Sequence, residues 1–175
     1  DKYIYILNAN GELEYSFYTD QFLVGTPAIG NIDFDPELEI IIGGFSNEGK
    51  IFAINHDGTL VENFPILINE KMKKGVALAD INYDGLDEIF VGTESHNLYR
   101  IESNGEIINN SLLLTSLDKI KFAPVIVNLN SDFYIIIGST DGNLYAVSPI
   151  GEIKFIYETG DEILSSASVF QMDDS

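Results

Sequence analysis

The feature that most constrains this chain is an internal repeat. Four segments align on glycines at 11, 58, 105 and 151, spaced by 47, 47 and 46 residues. An aromatic stands six positions before each glycine: Tyr5, Phe52, Tyr99 and Tyr145. Upstream, Pro27–Asp33, Val76–Asn82 and Pro124–Asn130 also align, and each is followed by an apolar run closed by glycine at 43, 92 or 138. Self-similarity at this period marks a repeat architecture. Each unit reads as four short strands. The first begins near Pro27 or its copies, with proline tolerated only at the strand start. The second is an unbroken run of Ile, Val and Phe, as in a strand buried on both faces. The third carries the aromatic, and the fourth follows the glycine. Asn10-Gly11, Asp57-Gly58 and Asn104-Gly105 predict two-residue hairpins in which both central residues take positive φ, and Ile150-Gly151 is a poorer version of the pair. No stretch has convincing helical periodicity.

Four-stranded units of this length, apolar on both faces, are what β-propeller blades require. A sandwich predicts alternating apolar and polar residues in the second strands, which is not seen, and a solenoid predicts a shorter repeat. The expected fold is therefore an all-β propeller of antiparallel blades, about 3.7 repeats long. The expected divisions are a partial blade over 1–23 (third and fourth strands), blades over 24–72, 73–120 and 121–164, and a further first strand over 165–175. The terminal pieces either pair into a small ring or are edges of a larger propeller, and exposed edges invite self-association.

Composition narrows the function. The chain has 175 residues, with 28 acidic against 9 basic side chains and a net charge of −19, which argues against nucleic-acid binding. At 45% hydrophobic residues it is too apolar to be disordered. No apolar run approaches the roughly 18 residues of a membrane helix, so no membrane insertion is expected. The absence of cysteine excludes disulfides and thiolate chemistry. His56 and His96 read as exposed loop residues. Most tyrosines read as blade-packing residues with phenols reaching an edge, rather than as a sugar-stacking platform. Asn109-Asn110-Ser111 is a glycosylation sequon in a host that glycosylates secreted proteins.

One segment carries chemistry: Asp80-Ile-Asn82-Tyr-Asp84-Gly85-Leu86-Asp87-Glu88. Side-chain oxygens at its first, third and fifth positions, a turn glycine, the Leu86 carbonyl and the Glu88 carboxylate have the make-up of a shell for one hard cation. Calcium suits it, taking six to eight oxygens in a loose geometry. The competing reading is an acidic turn with a solvated carboxylate cluster.

Residues 77–92 resemble the FG-GAP repeats of integrin α-subunit propellers and the related bacterial VCBS-type repeats. That resemblance implies Asp80, Asn82, Asp84, the Leu86 carbonyl and Glu88 as Ca2+ ligands. In the first repeat Asn31, Asp33, Asp35 and Glu39 keep the oxygen positions, but Pro36 replaces the glycine; because proline cannot take positive φ, this is expected to be a weaker site. In the third, Asn128-Leu-Asn130-Ser-Asp132 lacks the glycine and the closing acid, and no cation is expected. The third strands, such as Gly142–Val147, also resemble quinoprotein-like propeller repeats.

The resemblance implies a calcium-stabilised, non-enzymatic recognition or adhesion module, binding a protein or carbohydrate through loops at the propeller end. Its expected place is extracellular, at the cell surface or periplasmic. The alternatives are a structural or assembly propeller without its own ligand, or part of a propeller lyase or quinone-dependent dehydrogenase. Against an enzyme stand the absence of Trp, Arg100 as an isolated central base, and the absence of a phosphate loop or nucleophile constellation.

Overall fold

The computed structural model describes residues 1–108, 111–129 and 131–170. Asn109 and Asn110 of the sequon, Asn130 of the third loop and residues 171–175 lie outside them. Fourteen strands make up the described fold, and among the described residues no helix is long and apolar enough to cross a membrane.

The strands form one two-stranded and three four-stranded antiparallel sheets, each in simple meander order. The first sheet pairs β1 (Tyr3–Leu7) with β2 (Leu13–Tyr18). The first full blade is β3 (Ala28–Gly30), β4 (Glu39–Gly43), β5 (Lys50–Ile54) and β6 (Ile66–Leu67). The second is β7 (Ala77–Ala79), β8 (Glu88–Gly92), β9 (Asn97–Ile101) and β10 (Leu112–Thr115). The third is β11 (Val125–Leu129), β12 (Asp132–Gly138), β13 (Asn143–Val147) and β14 (Ile153–Glu158). Residues 165–170, expected to open a further first strand, join no ladder. First strands elsewhere pair with a second strand, and among the described residues 165–170 have none.

The core lies between sheets. Ile41, Ile51 and Ala53 of the first blade pack with Ile89, Val91 and Ile101 of the second. Phe90 and Leu98 pack with Ile135, Ile137 and Val147 of the third. Ile4 of the first sheet meets Ile42, Phe52 and Ile54. Successive residues of β4 and β8 thus serve opposite neighbours, which explains why these strands do not alternate apolar with polar. The glycine ending each second strand makes room for an apolar side chain. A Cβ on Gly43 would fall 2.8 Å from the Cβ of Met72, and Gly92 and Gly138 face Ile120 and Ile163 in the same way.

The four hairpin corners share one geometry, but it is not the expected one. Positive φ falls on the glycine alone, at +80°, +82°, +83° and +84° for Gly11, Gly58, Gly105 and Gly151. At the first corner Gly11 N–H donates to the Asn8 carbonyl and Asn8 N–H to that of Glu12, both at 2.9 Å. This is a type I turn followed by one left-handed residue. The position before the glycine keeps negative φ, so Ile150 suits it as well as Asn or Asp. A second departure concerns the fourth strand. β2 and β14 start two residues after their glycines, whereas β6 and β10 start only at Ile66 and Leu112. In the first blade the chain makes one bridge at Leu60, then detours through Val61–Asn63 before rejoining.

Candidate metal centre

Each loop between a first and a second strand hangs from the end of a blade. In the first two full blades the second strand begins with a buried glutamate: Glu39 is 0% and Glu88 1% exposed. In the middle loop Asp80, Asn82, Asp84 and Glu88 are tied to the turn by hydrogen bonds, but their carboxylates do not converge as closely as those of the first loop. Asp80 accepts the Asp84 and Gly85 amides through its two oxygens, at 3.1 and 2.9 Å. Asn82 Oδ1 accepts the Asp84 amide, and Asp84 Oδ1 accepts the Leu86 amide, both at 2.9 Å. Glu88 Oε2 accepts the Ile81 amide at 3.0 Å. Asn82 Nδ2 stands between the two remaining carboxylate oxygens, donating to Asp84 at 3.0 Å and to Glu88 at 2.9 Å. Tyr83 and Gly85 take positive φ, at +61° and +92°. Leu86 is buried.

The first loop is built differently. Asp33, Asp35 and Glu39 each present an oxygen, all within 4.8 Å of one another. Glu39 Oε2 accepts the Ile32 amide at 2.9 Å, but the buried Glu39 Oε1 and Asn31 Oδ1 meet no donor. Three converging carboxylates, one of them with a buried oxygen that meets no donor, are a donor set suited to a hard cation. None of residues 31–39 takes positive φ, so Pro36 sits without strain. This loop uses no left-handed turn for proline to oppose.

Burial governs the electrostatics. Desolvation pushes the Glu88 carboxyl up from 4.5 to about 7, opposed by the Ile81 amide and Arg100 and assisted by Glu102 and Asp84. Desolvation raises Glu39 as well, and Asp33 and Asp35 add repulsion. The two loops are joined. The Asp87 amide donates to the Asn31 carbonyl at 2.6 Å, the Asn31 amide returns a bond to Asp87 Oδ2 at 3.1 Å, and Asn31 Nδ2 donates to the Gly85 carbonyl at 3.2 Å.

In the third blade Leu129 of the first strand pairs with Asp132 of the second. Asn128 Nδ2 donates to the Tyr83 hydroxyl at 2.8 Å. His96 is 3.9 Å from Asp118, and His56, at a hairpin corner, lines a cavity together with Leu38 of the first loop.

Some working residues escaped sequence reading. Glu70, between the first and second blades, accepts Asn97 Nδ2 and the Tyr99 hydroxyl, both at 2.8 Å, and the Thr93 hydroxyl at 2.5 Å. Burial first, then the Glu70 carboxylate, pushes the Tyr99 phenol up to about 12. Asp141 accepts the Tyr145 hydroxyl at 2.7 Å in the third blade. The repeated aromatic was a signal for such partners, since buried phenols need an acceptor.

Comparison with known proteins places the chain. Residues 40–163 match the model of the lambda-carrageenase beta-propeller domain. Lambda-carrageenase of Pseudoalteromonas carrageenovora is 35% identical over 118 residues, covering 66% of this chain and 12% of that protein. Human integrin alpha-8 is 29% identical over 119 residues, covering 63% of this chain and 11% of that protein. The chain thus spans only about an eighth of the length of these relatives. Among solved structures, BBS1N in complex with ARL6DN superposes over 94% of this chain and 50% of that one, with a TM-score of 0.65 at 18% identity. The V. cholerae biofilm matrix protein Bap1 gives 0.61 over 90% of this chain and 24% of that one, at 19% identity. These last two likenesses establish the propeller fold. The integrin match agrees with the FG-GAP resemblance, whereas the expectation of a non-enzyme is overturned, because the matching family is named for an enzyme. By its family match the chain belongs to the lambda-carrageenase β-propeller domains.

Proposed function

We propose that this chain is a calcium-stabilised propeller module of an extracellular or cell-surface protein acting on polysaccharide, which it helps to recognise through blade-end loops. The carrageenase relatives support the polysaccharide setting, and the integrin relative supports a surface location. The observation that carries the cation reading is the buried Glu39, with one carboxylate oxygen unpartnered beside Asp33 and Asp35. The ligands of the first loop are Asn31, Asp33, Asp35 and Glu39. Those of the middle loop are Asp80, Asn82, Asp84, the Leu86 carbonyl and Glu88. There, rotating the Asn82 amide turns Oδ1 instead of Nδ2 toward Asp84 and Glu88, as a cation requires. Binding relieves repulsion within each loop and fixes the turn into a buried second strand.

Thermal melting in excess EDTA and then in millimolar calcium tests this reading. At a calcium concentration one hundred times Kd, one site adds about 2.7 kcal/mol of stability. Asp35→Ala and Asp84→Ala each remove part of the rise, and the double variant removes it. Magnesium substitutes poorly, because its octahedral shell is tighter. Identical melting in EDTA and calcium would refute the reading. Retention on immobilised carrageenan, compared with a panel of matrix proteins, tests the ligand class.

A further inference from the structure

Positive charge is scarce in this chain and unevenly placed. Five of the nine basic side chains stand in two connections between blades, β6–β7 and β10–β11. The connections match residue for residue: Lys71 and Lys73 flank Met72, and Lys119 and Lys121 flank Ile120. Met72 and Ile120 are 0% exposed and pack on the glycines that close β4 and β8, so each buried anchor fixes the backbone that carries its two lysines. Leu23, at the same place before the first blade, stands between Phe22 and Val24 instead. Lys74 Nζ lies 5.7 Å from the centre of the Phe122 ring, which brings the two connections together, and Lys71 Nζ lies 5.4 Å from that of Phe45. Because successive strands alternate in direction, these connections and the loops after the second strands share one end of each blade, and the acidic loops lie at the other.

At this end lies a cavity of about 260 Å³, lined by Lys71 and Lys119, by Asn47, Asn69 and Ser95, and by two acids, Glu70 and Glu94. Both acids are already engaged. Glu70 accepts Asn97, Tyr99 and Thr93, and Glu94 lies 3.8 Å from Lys73. Asp118 accepts the Lys119 main-chain amide at 2.8 Å and lies 3.9 Å from His96. Lys71 and Lys119 make no ion pair among the described residues. Resting on the polysaccharide reading above, we propose that this end of the propeller binds an acidic glycan, one of whose sulfate or carboxylate groups is held in the cavity between Lys71 and Lys119. Ammonium groups supply charge-assisted bonds to its oxygens, while Asn47, Asn69 and Ser95 meet the sugar hydroxyls. Lys73, Lys74 and Lys121 face the neighbouring charges of the chain. The acidic loops do not oppose this. A five-residue strand such as β4 or β8 sets them about 16 Å away. That is twice the screening length of about 8 Å at physiological ionic strength. Nucleic acid is a poorer occupant, because its closely spaced phosphates would meet Glu70, Glu94 and Asp118 as well as the lysines.

The test uses the full chain in millimolar calcium, with dextran sulfate, polygalacturonate, neutral dextran and a single-stranded oligonucleotide as probes. Affinity electrophoresis should show salt-sensitive retardation by an acidic glycan and none by neutral dextran. Retardation by dextran sulfate alone identifies a sulfate ester as the group held, and by polygalacturonate alone a carboxylate. Lys71→Gln and Lys119→Gln should each weaken binding about tenfold, and Lys71→Arg should keep it. Lys154→Gln, which removes the same charge at the opposite end, should change nothing. Lys121→Gln is the further variant should either of the first two fail to melt cooperatively. Full affinity in the double variant Lys71→Gln, Lys119→Gln, or equal binding of neutral dextran, overturns this site and leaves the polysaccharide reading standing. Binding of neither acidic glycan also overturns it, and retention on immobilised carrageenan then decides the broader reading separately. Preferential binding of the oligonucleotide makes nucleic acid the occupant and overturns the proposal.

Discussion

Glu88 sits at the start of β8, 1% exposed, with its carboxyl raised from 4.5 to about 7 by burial. The folded state therefore holds this proton more tightly than the unfolded chain does. Without divalent cations, the stabilising contribution is fully present below about 4.5 and is lost as pH rises toward 7. Glu39 is shifted in the same direction and adds to the loss. Urea unfolding in EDTA should give lower stability at pH 7.5 than at pH 5, and Glu88→Gln should flatten that slope. Calcium reverses the trend, because only the ionised carboxylates ligate it. Its apparent affinity should rise across the same interval, with protons released on binding, as calorimetry in buffers of different ionisation enthalpy would show.

At the scale of elements, the two acidic loops are one mechanical unit. Asn31 and Asp87 exchange main-chain and side-chain bonds, and Gly30 packs so closely that a Cβ there would collide with the Asp87 carboxylate. Ordering either loop therefore partly orders the other, so that the second calcium binds at a smaller conformational cost. Asp87→Ala, which removes the side-chain bond to the Asn31 amide but no proposed ligand, should lower the Hill coefficient of calcium binding toward one, with both sites kept; terbium luminescence titration measures this.

The legibility of the chain also divides by element. Second strands and corner glycines were readable because their demands are local: two buried faces, or one left-handed residue. The late start of β6 and β10 was hidden, because the detour after Gly58 is set by how Val61 and Phe64 bury against the neighbouring blade. The convergence of Asp33, Asp35 and Glu39 is not legible from spacing, because Pro36 gives the first loop a backbone unlike that of the middle loop, where Tyr83 and Gly85 are left-handed. That the matching family takes its name from a carrageenase was not legible, because the repeat's residues read as blade packing and turns.

For the whole molecule, the arrangement is a series rather than a globe. Three apolar clusters each join two neighbouring sheets. Stability in such arrays is approximately a sum of units and nearest-neighbour interfaces. Pulled from its two ends in an optical trap, the chain should not give way in one rupture. It should yield in successive steps, each releasing about 160 Å of contour for a blade of some 47 residues. Calcium should raise the force of the steps that carry the acidic loops and leave that of the third blade unchanged. A domain built in this way behaves under tension as a shock absorber, dissipating load one blade at a time.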